Sequence, residues 1–221
     1  EMLNTVWQRS EYACDIDGVI AIDPLFIQEM VRINGDITLD NGQVLTGDNT
    51  AEFMLNGIYK AFDPDTQDMY FEYVASAVMD GAFSNMTMDK MMQIAQAMGS
   101  LAEGRHFYAY TFHEDEAEYF QDAGFAKNAP ESETDPEIGI YMNEQNASKL
   151  GWYLQRSSTI TRTACNADGS QTYHVTFSIT NTLTSDEMAS ATTYILGGAQ
   201  PGVNGIVAPA GTSAQRMLFY A

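Results

Sequence analysis

Positive charge is what this 221-residue chain has least of: 10 lysines and arginines stand against 30 aspartates and glutamates, a formal charge of −20. A surface this acidic repels nucleic-acid phosphates and anionic lipid headgroups, so nucleic acid is excluded as an expected partner. Cysteine is scarce as well. Cys14 and Cys165 are the only two, too few for a zinc site, and His106, His113 and His174 fall on separate predicted elements without metal-ligand spacing. No apolar run approaches the roughly 18 residues that span a bilayer, and no charged-then-apolar leader opens the sequence. Also missing are a glycine-rich phosphate loop, a nucleophile elbow and a cysteine–histidine signature. The opening Glu1-Met2-Leu3-Asn4-Thr5-Val6-Trp7 reads as the interior of a domain. The chain is therefore expected to be a piece of a longer protein, with any anchor or export signal upstream.

What is present is apolar material, 45% of residues, enough for one sizeable core or two small ones. Charge is divided unevenly. Residues 1–140 hold 26 acidic and 6 basic side chains, while residues 141–221 hold 4 of each. The first part also carries 10 of the 13 methionines, and the second is rich in serine and threonine. The polar stretch from Asn128 to Glu137, with Pro130 and Pro136, lies at the change and reads as a linker or long loop. We expect an α+β protein: an acidic α/β domain over 1–137, a sheet with packed helices, followed by a neutral, β-rich antiparallel domain or subdomain over 138–221.

Asp17 to Ile22 is a short apolar run that suits a buried strand. Asp23 can cap the helix that follows, with Pro24 at its first position, Phe26, Ile27, Met30, Val31 and Ile33 as its apolar stripe, and Gly35 to stop it. Ile37 to Leu45 reads as a hairpin with Asn41-Gly42 as a two-residue turn. Further helices are predicted over 48–59, 65–80 and 87–103, and a short acidic one over 113–122. In the third of these, Met88, Met91, Met92, Ala95 and Met98 share one face. That stripe reads as core packing, with a flexible methionine-lined groove as the other reading. Strands are predicted over 107–112, 138–142, 151–165, 173–179, 194–196 and 217–220, with Asn166 to Gly169 as a turn.

Few constellations could carry chemistry. Asp15-Ile16-Asp17-Gly18 has the spacing of the haloacid-dehalogenase nucleophile motif, but there the aspartates close an apolar strand, whereas here the apolar run follows them. A polar turn leading into a strand is the expected role. Asp63, Asp65 and Asp68 place three carboxylates within six residues, a donor set that calcium or magnesium would accept, although the glycine and glutamate of an EF-hand loop are replaced by Asp68 and Val74. The same residues also suit a capped, solvated helix start. Arg105-His106 is a cationic pair in a very acidic region, able to hold an anionic group or to pair with neighbouring carboxylates. Cys14 and Cys165 either form a long-range disulfide or stay as two buried thiols.

Several segments taken together resemble the actinobacterial domain-of-unknown-function family 4012. They are Asp15-Ile-Asp17-Gly18-Val-Ile-Ala-Ile-Asp23-Pro24 with its capped helix, Gly42-Gln-Val-Leu45-Thr-Gly-Asp-Asn49, Ala102-Glu-Gly-Arg105-His106, Ser148-Lys149-Leu-Gly-Trp152-Tyr153-Leu, and Cys165 through Asp168-Gly169. The resemblance runs from about Trp7 to the C-terminus. It implies an extracytoplasmic domain behind an N-terminal membrane helix, with no established activity. The order of elements from Asp17 to about Met79 is also similar to the second half of the LytR-CpsA-Psr domain, which transfers polyprenyl-pyrophosphate-linked glycopolymers onto peptidoglycan. That likeness implies arginines facing the pyrophosphate, but Leu55, Gly57, Phe71 and Tyr73 stand near the corresponding positions, and the magnesium-holding aspartates have no match in residues 1–16.

Two functions follow as expectations. The first is a non-catalytic cell-envelope module that binds a wall polysaccharide, a glycolipid or an envelope protein and meets the membrane only through an anchor outside this chain. It needs no cofactor, with a divalent cation at Asp63, Asp65 and Asp68 as an optional ligand and Arg105, His106, Asp15 and Asp17 as candidate ligand-binding residues. The second is a metal-dependent phosphotransferase acting on polyprenyl-pyrophosphate-linked glycans. A pyrophosphate needs fixed cations to offset its charge, so the missing arginines favour the first.

Overall fold

The computed structural model describes residues 2–126, 137–198 and 205–220. In chain order the elements are α1 (Met2–Trp7), β1 (Gly18–Ile22), α2 (Pro24–Asn34), β2 (Ile37–Thr38), β3 (Val44–Leu45), α3 (Thr50–Glu52), a π-helical turn (Phe53–Gly57) and α4 (Ile58–Ala61). Then come α5 (Pro64–Phe83), α6 (Met88–Glu103), β4 (Phe107–Thr111), α7 (Ala117–Asp122), β5 (Gly139–Glu144) and a 3-10 turn (Leu150–Tyr153). The chain continues with β6 (Leu154–Cys165), β7 (Gln171–Asn181), α8 (Ser185–Ser190), α9 (Thr193–Leu196) and β8 (Gln215–Tyr220). The mixture of helices with small sheets makes this an α+β protein. Two compact units are present: Glu1–Gly57 with Asp63–Gly139 and the last two residues, and Ile58–Phe62 with Ile140–Phe219. The stretch expected as a linker lies outside the described residues except for Glu137.

α2 is the hub of the first unit. Its start follows from local chemistry: Asp23 Oδ1 accepts from the amides of Leu25 (2.9 Å) and Phe26 (3.1 Å), and Pro24 sits at the first position where no amide partner is needed. Its stripe Phe26, Ile27, Met30 and Val31 is buried, and α3, α5 and α6 all pack against it. From α5 come Tyr70, Val74 and Val78; Tyr70 donates its hydroxyl to Asp40 Oδ1 at 2.5 Å. Gly47, in the turn after β3, is pressed against the stem of Arg32. A Cβ at Gly47 would lie 2.6 Å from Arg32 Cβ, so only glycine lets the Arg32 guanidinium reach the Gly47 carbonyl.

β1 and β4 form an antiparallel pair, Gly18 opposite Thr111 through Ile22 opposite Phe107. β1 was expected to be buried, yet Ile20 is 65% exposed. The reason lies in the packing: α6 and α7 pack against β4, burying Phe107 and Ala109, while β1 is an outer strand of a two-stranded sheet. The methionine stripe of α6 also departs from the core reading. Only the C-terminal end of this helix, at Leu101 and Ala102, is buried, and Met88 is 71% exposed with Met91 and Met92 also exposed.

Both hairpins use the same connection. In β2–β3 the Leu39 amide donates to the Gln43 carbonyl (2.8 Å) and the Gly42 amide to the Leu39 carbonyl (2.9 Å). Gly42 sits at φ 82° and Asn41 stays at negative φ, so the connection has three residues and a left-handed glycine rather than the two-residue turn expected. β6 and β7 repeat it with Asn166, Gly169 (φ 88°) and Ser170.

In the second unit Leu150, Tyr153, Ile195 and Leu196 form the core, with Tyr59, Leu183 and Ala191 against it. Residues 194–196 were expected as a strand, but they lie in α9, one turn that puts Ile195 and Leu196 side by side into that core. The strand expected from Gly151 starts only at Leu154, because the 3-10 turn stacks Leu150 over Tyr153. Beyond Leu154, β6 is exposed throughout, while Val175, Phe177 and Ile179 of β7 are half-buried; among the described residues no third strand pairs with this two-stranded ribbon. Cys165 closes β6; both cysteines are free and exposed, neither bridged nor buried.

Candidate functional site

The two ends of the β1–β4 pair are each closed by an aspartate and a histidine. At one end Asp23, already capping α2 through Oδ1, places Oδ2 2.7 Å from Nδ1 of His106. A carboxylate can only accept, so Nδ1 carries the proton and Nε2 is the ring nitrogen left for other contacts. At the other end Asp17 Oδ1 lies 3.0 Å from His113 Nε2. That hydrogen bond raises the His113 pKa above its ordinary value, assisted by the charges of Glu116, Asp17 and Asp115 and opposed by partial desolvation.

The candidate ligand-binding residues are thus separated. His106 and Asp17 stand at opposite ends of the ladder. Asp15 is exposed, and its carboxylate makes no hydrogen bond or ion pair among the described residues. Arg105 adopts the left-handed conformation (φ 66°) as the chain leaves α6, and its exposed guanidinium makes no hydrogen bond or ion pair among the described residues. Of the acidic trio, Asp63 caps α5. Its Oδ1 accepts from the Asp65 (3.1 Å) and Thr66 (3.2 Å) amides and its Oδ2 from the Thr66 hydroxyl (2.7 Å), and these bonds, the hydroxyl first, hold its pKa below the usual value. Asp65 and Asp68 point to solvent. Among the described residues, no group of three histidine, cysteine, aspartate or glutamate side chains is gathered as a metal site would require.

His106 faces a groove of about 570 Å³ between α2 and α6. Leu25, Ile33, Ala97 and Leu101 make its apolar surface, while Gln28, Gln93, Gln96 and Ser100 supply amides and a hydroxyl. The helical repeat aligns these groups: 25, 28, 29 and 32 share a face of α2, and 93, 96, 97 and 100 a face of α6. Gln28 Oε1 accepts from the Ala51 amide at 2.9 Å, which fixes the side chain and leaves its NH2 to donate. At the rim Arg32 is held by Glu29, by the Gly47 carbonyl and by Asp48 (3.0 Å), so its charge is already matched. Sequence reasoning missed the glutamines because a polar helix face reads as solvated. Their signal was the spacing Gln93, Gln96, Ser100, with nothing to say that α2 offers a matching row.

A second cluster lies in the C-terminal unit. Lys149 sits 4.6 Å from the ring centre of Tyr59 and 5.5 Å from that of Tyr194, and Lys60 lies 5.7 Å from that of Tyr153. The segment Ser148 to Leu154 therefore has a structural role, its Leu150 and Tyr153 in the core and its lysine over two tyrosines.

In class the chain is α+β, and residues 1–59 match a family model described as Protein of unknown function (DUF4012). That stretch takes in Asp15, Asp17, Asp23 and all of α2, and ends before Arg105, His106 and α6. No curated protein and no solved structure matches the chain.

Proposed function

We propose that the chain is a non-catalytic, extracytoplasmic cell-envelope module, tethered through a membrane anchor outside these residues, whose first unit holds a segment of a neutral wall polysaccharide in the α2–α6 groove. The observation that carries this reading is the lining of that groove: Gln28, Gln93, Gln96, Ser100 and His106 arrayed over an apolar floor. Amides and hydroxyls both donate and accept, as sugar hydroxyls do, so one row of such groups satisfies a polyhydroxyl chain without fixed charge. The volume is that of an ordinary ligand cleft. A formal charge of −20 disfavours phosphate-bearing polymers and nucleic acid, which leaves neutral glycans as the better-matched class.

The test is co-sedimentation or calorimetry with purified neutral wall polysaccharide and with an anionic, phosphate-bearing polymer. Wild type is expected to bind the neutral polymer, and a Gln93→Ala, Gln96→Ala, Ser100→Ala variant to lose about tenfold or more in affinity at unchanged melting temperature, these being exposed positions. Equal binding by both proteins removes the groove from the proposal. Release of polyprenyl phosphate from a pyrophosphate-linked glycan by the purified protein would replace the module with the phosphotransferase.

A further inference from the structure

The junction of α5 and α6, two helices that both pack on α2, exposes a run of apolar side chains that the groove does not use. Met79 and Phe83 lie one turn apart at the end of α5, Met86 is in the connection, and Met88, Met91 and Met92 line the first turns of α6; all six are exposed, Phe83 to 74%. Methionine is unbranched and polarisable, so a surface of such side chains adapts to the partner laid on it. Six exposed apolar side chains fall within the 14 residues from Met79 to Met92, the kind of local grouping an interaction site presents.

Charge identifies the occupant. Across 64–103 the only lysine or arginine is Lys90, against Asp65, Asp68, Glu72, Asp80, Asp89 and Glu103. Lys90 is turned back onto the carbonyls of Gly81 (2.5 Å) and Ser84 (3.0 Å), where it closes α5. Asp80 and Asp89 stand exposed beside Met79 and Met88. The acidic field opposes a second copy of this chain and an anionic bilayer and attracts a cation. We propose that the methionine-bearing junction of α5 and α6 docks a cationic amphipathic helix of a partner protein. Its apolar residues lie on the methionines and Phe83, and its lysines or arginines face Asp80 and Asp89. This is the helix-on-apolar-surface mode of recognition, with flexible methionines in place of a rigid groove.

The experiment uses the whole chain labelled with 13C at the methionine methyls and a synthetic leucine–lysine amphipathic peptide of about 18 residues as probe. The methyls of Met79, Met86, Met88, Met91 and Met92 are expected to shift saturably, while those of buried Met30 and Met54 stay in place. A Met88→Gln, Met91→Gln, Met92→Gln variant should bind about tenfold or more weakly. Because these positions are exposed, its melting temperature checks the fold, and Asp80→Asn with Asp89→Asn weakens binding without touching a methionine. Equal affinity for a leucine–glutamate peptide overturns the proposal. So does a shift that follows protein concentration with no peptide present, which would make the occupant a second copy, or one produced only by neutral phosphatidylcholine vesicles. Unmoved methyls at saturating peptide overturn it outright.

Discussion

At the scale of single residues, the pair of Asp17 and His113 is an arrangement with a measurable acid–base consequence. His113 is held by Asp17, so its folded pKa lies above its unfolded value near 6.5. A raised histidine stabilises the folded state fully below the unfolded pKa, and the contribution is lost as pH rises through the folded value. We expect an NMR titration of His113 to give a midpoint above 6.5 in wild type and one closer to 6.5 in Asp17→Asn. The stability difference between the two proteins should be present in mild acid and vanish at alkaline pH; coincident His113 titrations would show that the pair does not hold in solution. Neither aspartate–histidine pair was legible in the sequence. Asp23 and His106 are 83 positions apart and Asp17 and His113 are 96 apart, and only the β1–β4 register brings them together. Asp23 was readable as a cap because its partners are the next two amides; its second partner was not.

Elements were legible where local chemistry decides them and obscure where packing does. α2 could be read from Asp23, Pro24, one apolar stripe and Gly35, all within about a dozen residues. α5 is similar, and its cap gives a prediction. Asp63→Ala removes three hydrogen bonds at the start of a 20-residue helix and should lower the urea midpoint of unfolding near neutral pH. Since those bonds depress the Asp63 pKa, the stability they contribute is present above the unfolded value of 3.8 and is lost as pH falls through the folded value. The gap between wild type and variant should close in acid. A gap that stays constant with pH would mean that the ionised carboxylate is not what caps the helix. The methionine stripe of α6 and the residues of α9 were misread for a different reason. A helical period shows that a face is apolar without saying what lies against it, and an apolar run of a few residues fits a strand and a helical turn equally well. The groove was invisible for the same reason, since two polar rows become a site only when α2 and α6 face each other.

At the scale of the whole molecule, charge and architecture divide in the same sense, the acidic residues lying mostly in the first unit and the ribbon belonging to the near-neutral second. β6 runs 12 residues from the buried Leu154 to the exposed Cys165, a length of about 40 Å at the rise of an extended strand. Mild oxidation of the purified chain should therefore yield disulfide-linked dimers through its exposed thiols. Cys14→Ser and Cys165→Ser should each still dimerise on a non-reducing gel, and the double variant should not; dimers formed by the double variant would show that these thiols are not the link. The ribbon is also a lever. A ligand, label or cross-link gripping its far end works through a long arm on Leu154 and Tyr153 at the fulcrum, so a modest sideways pull at the tip becomes a large torque on the small core from which the arm projects.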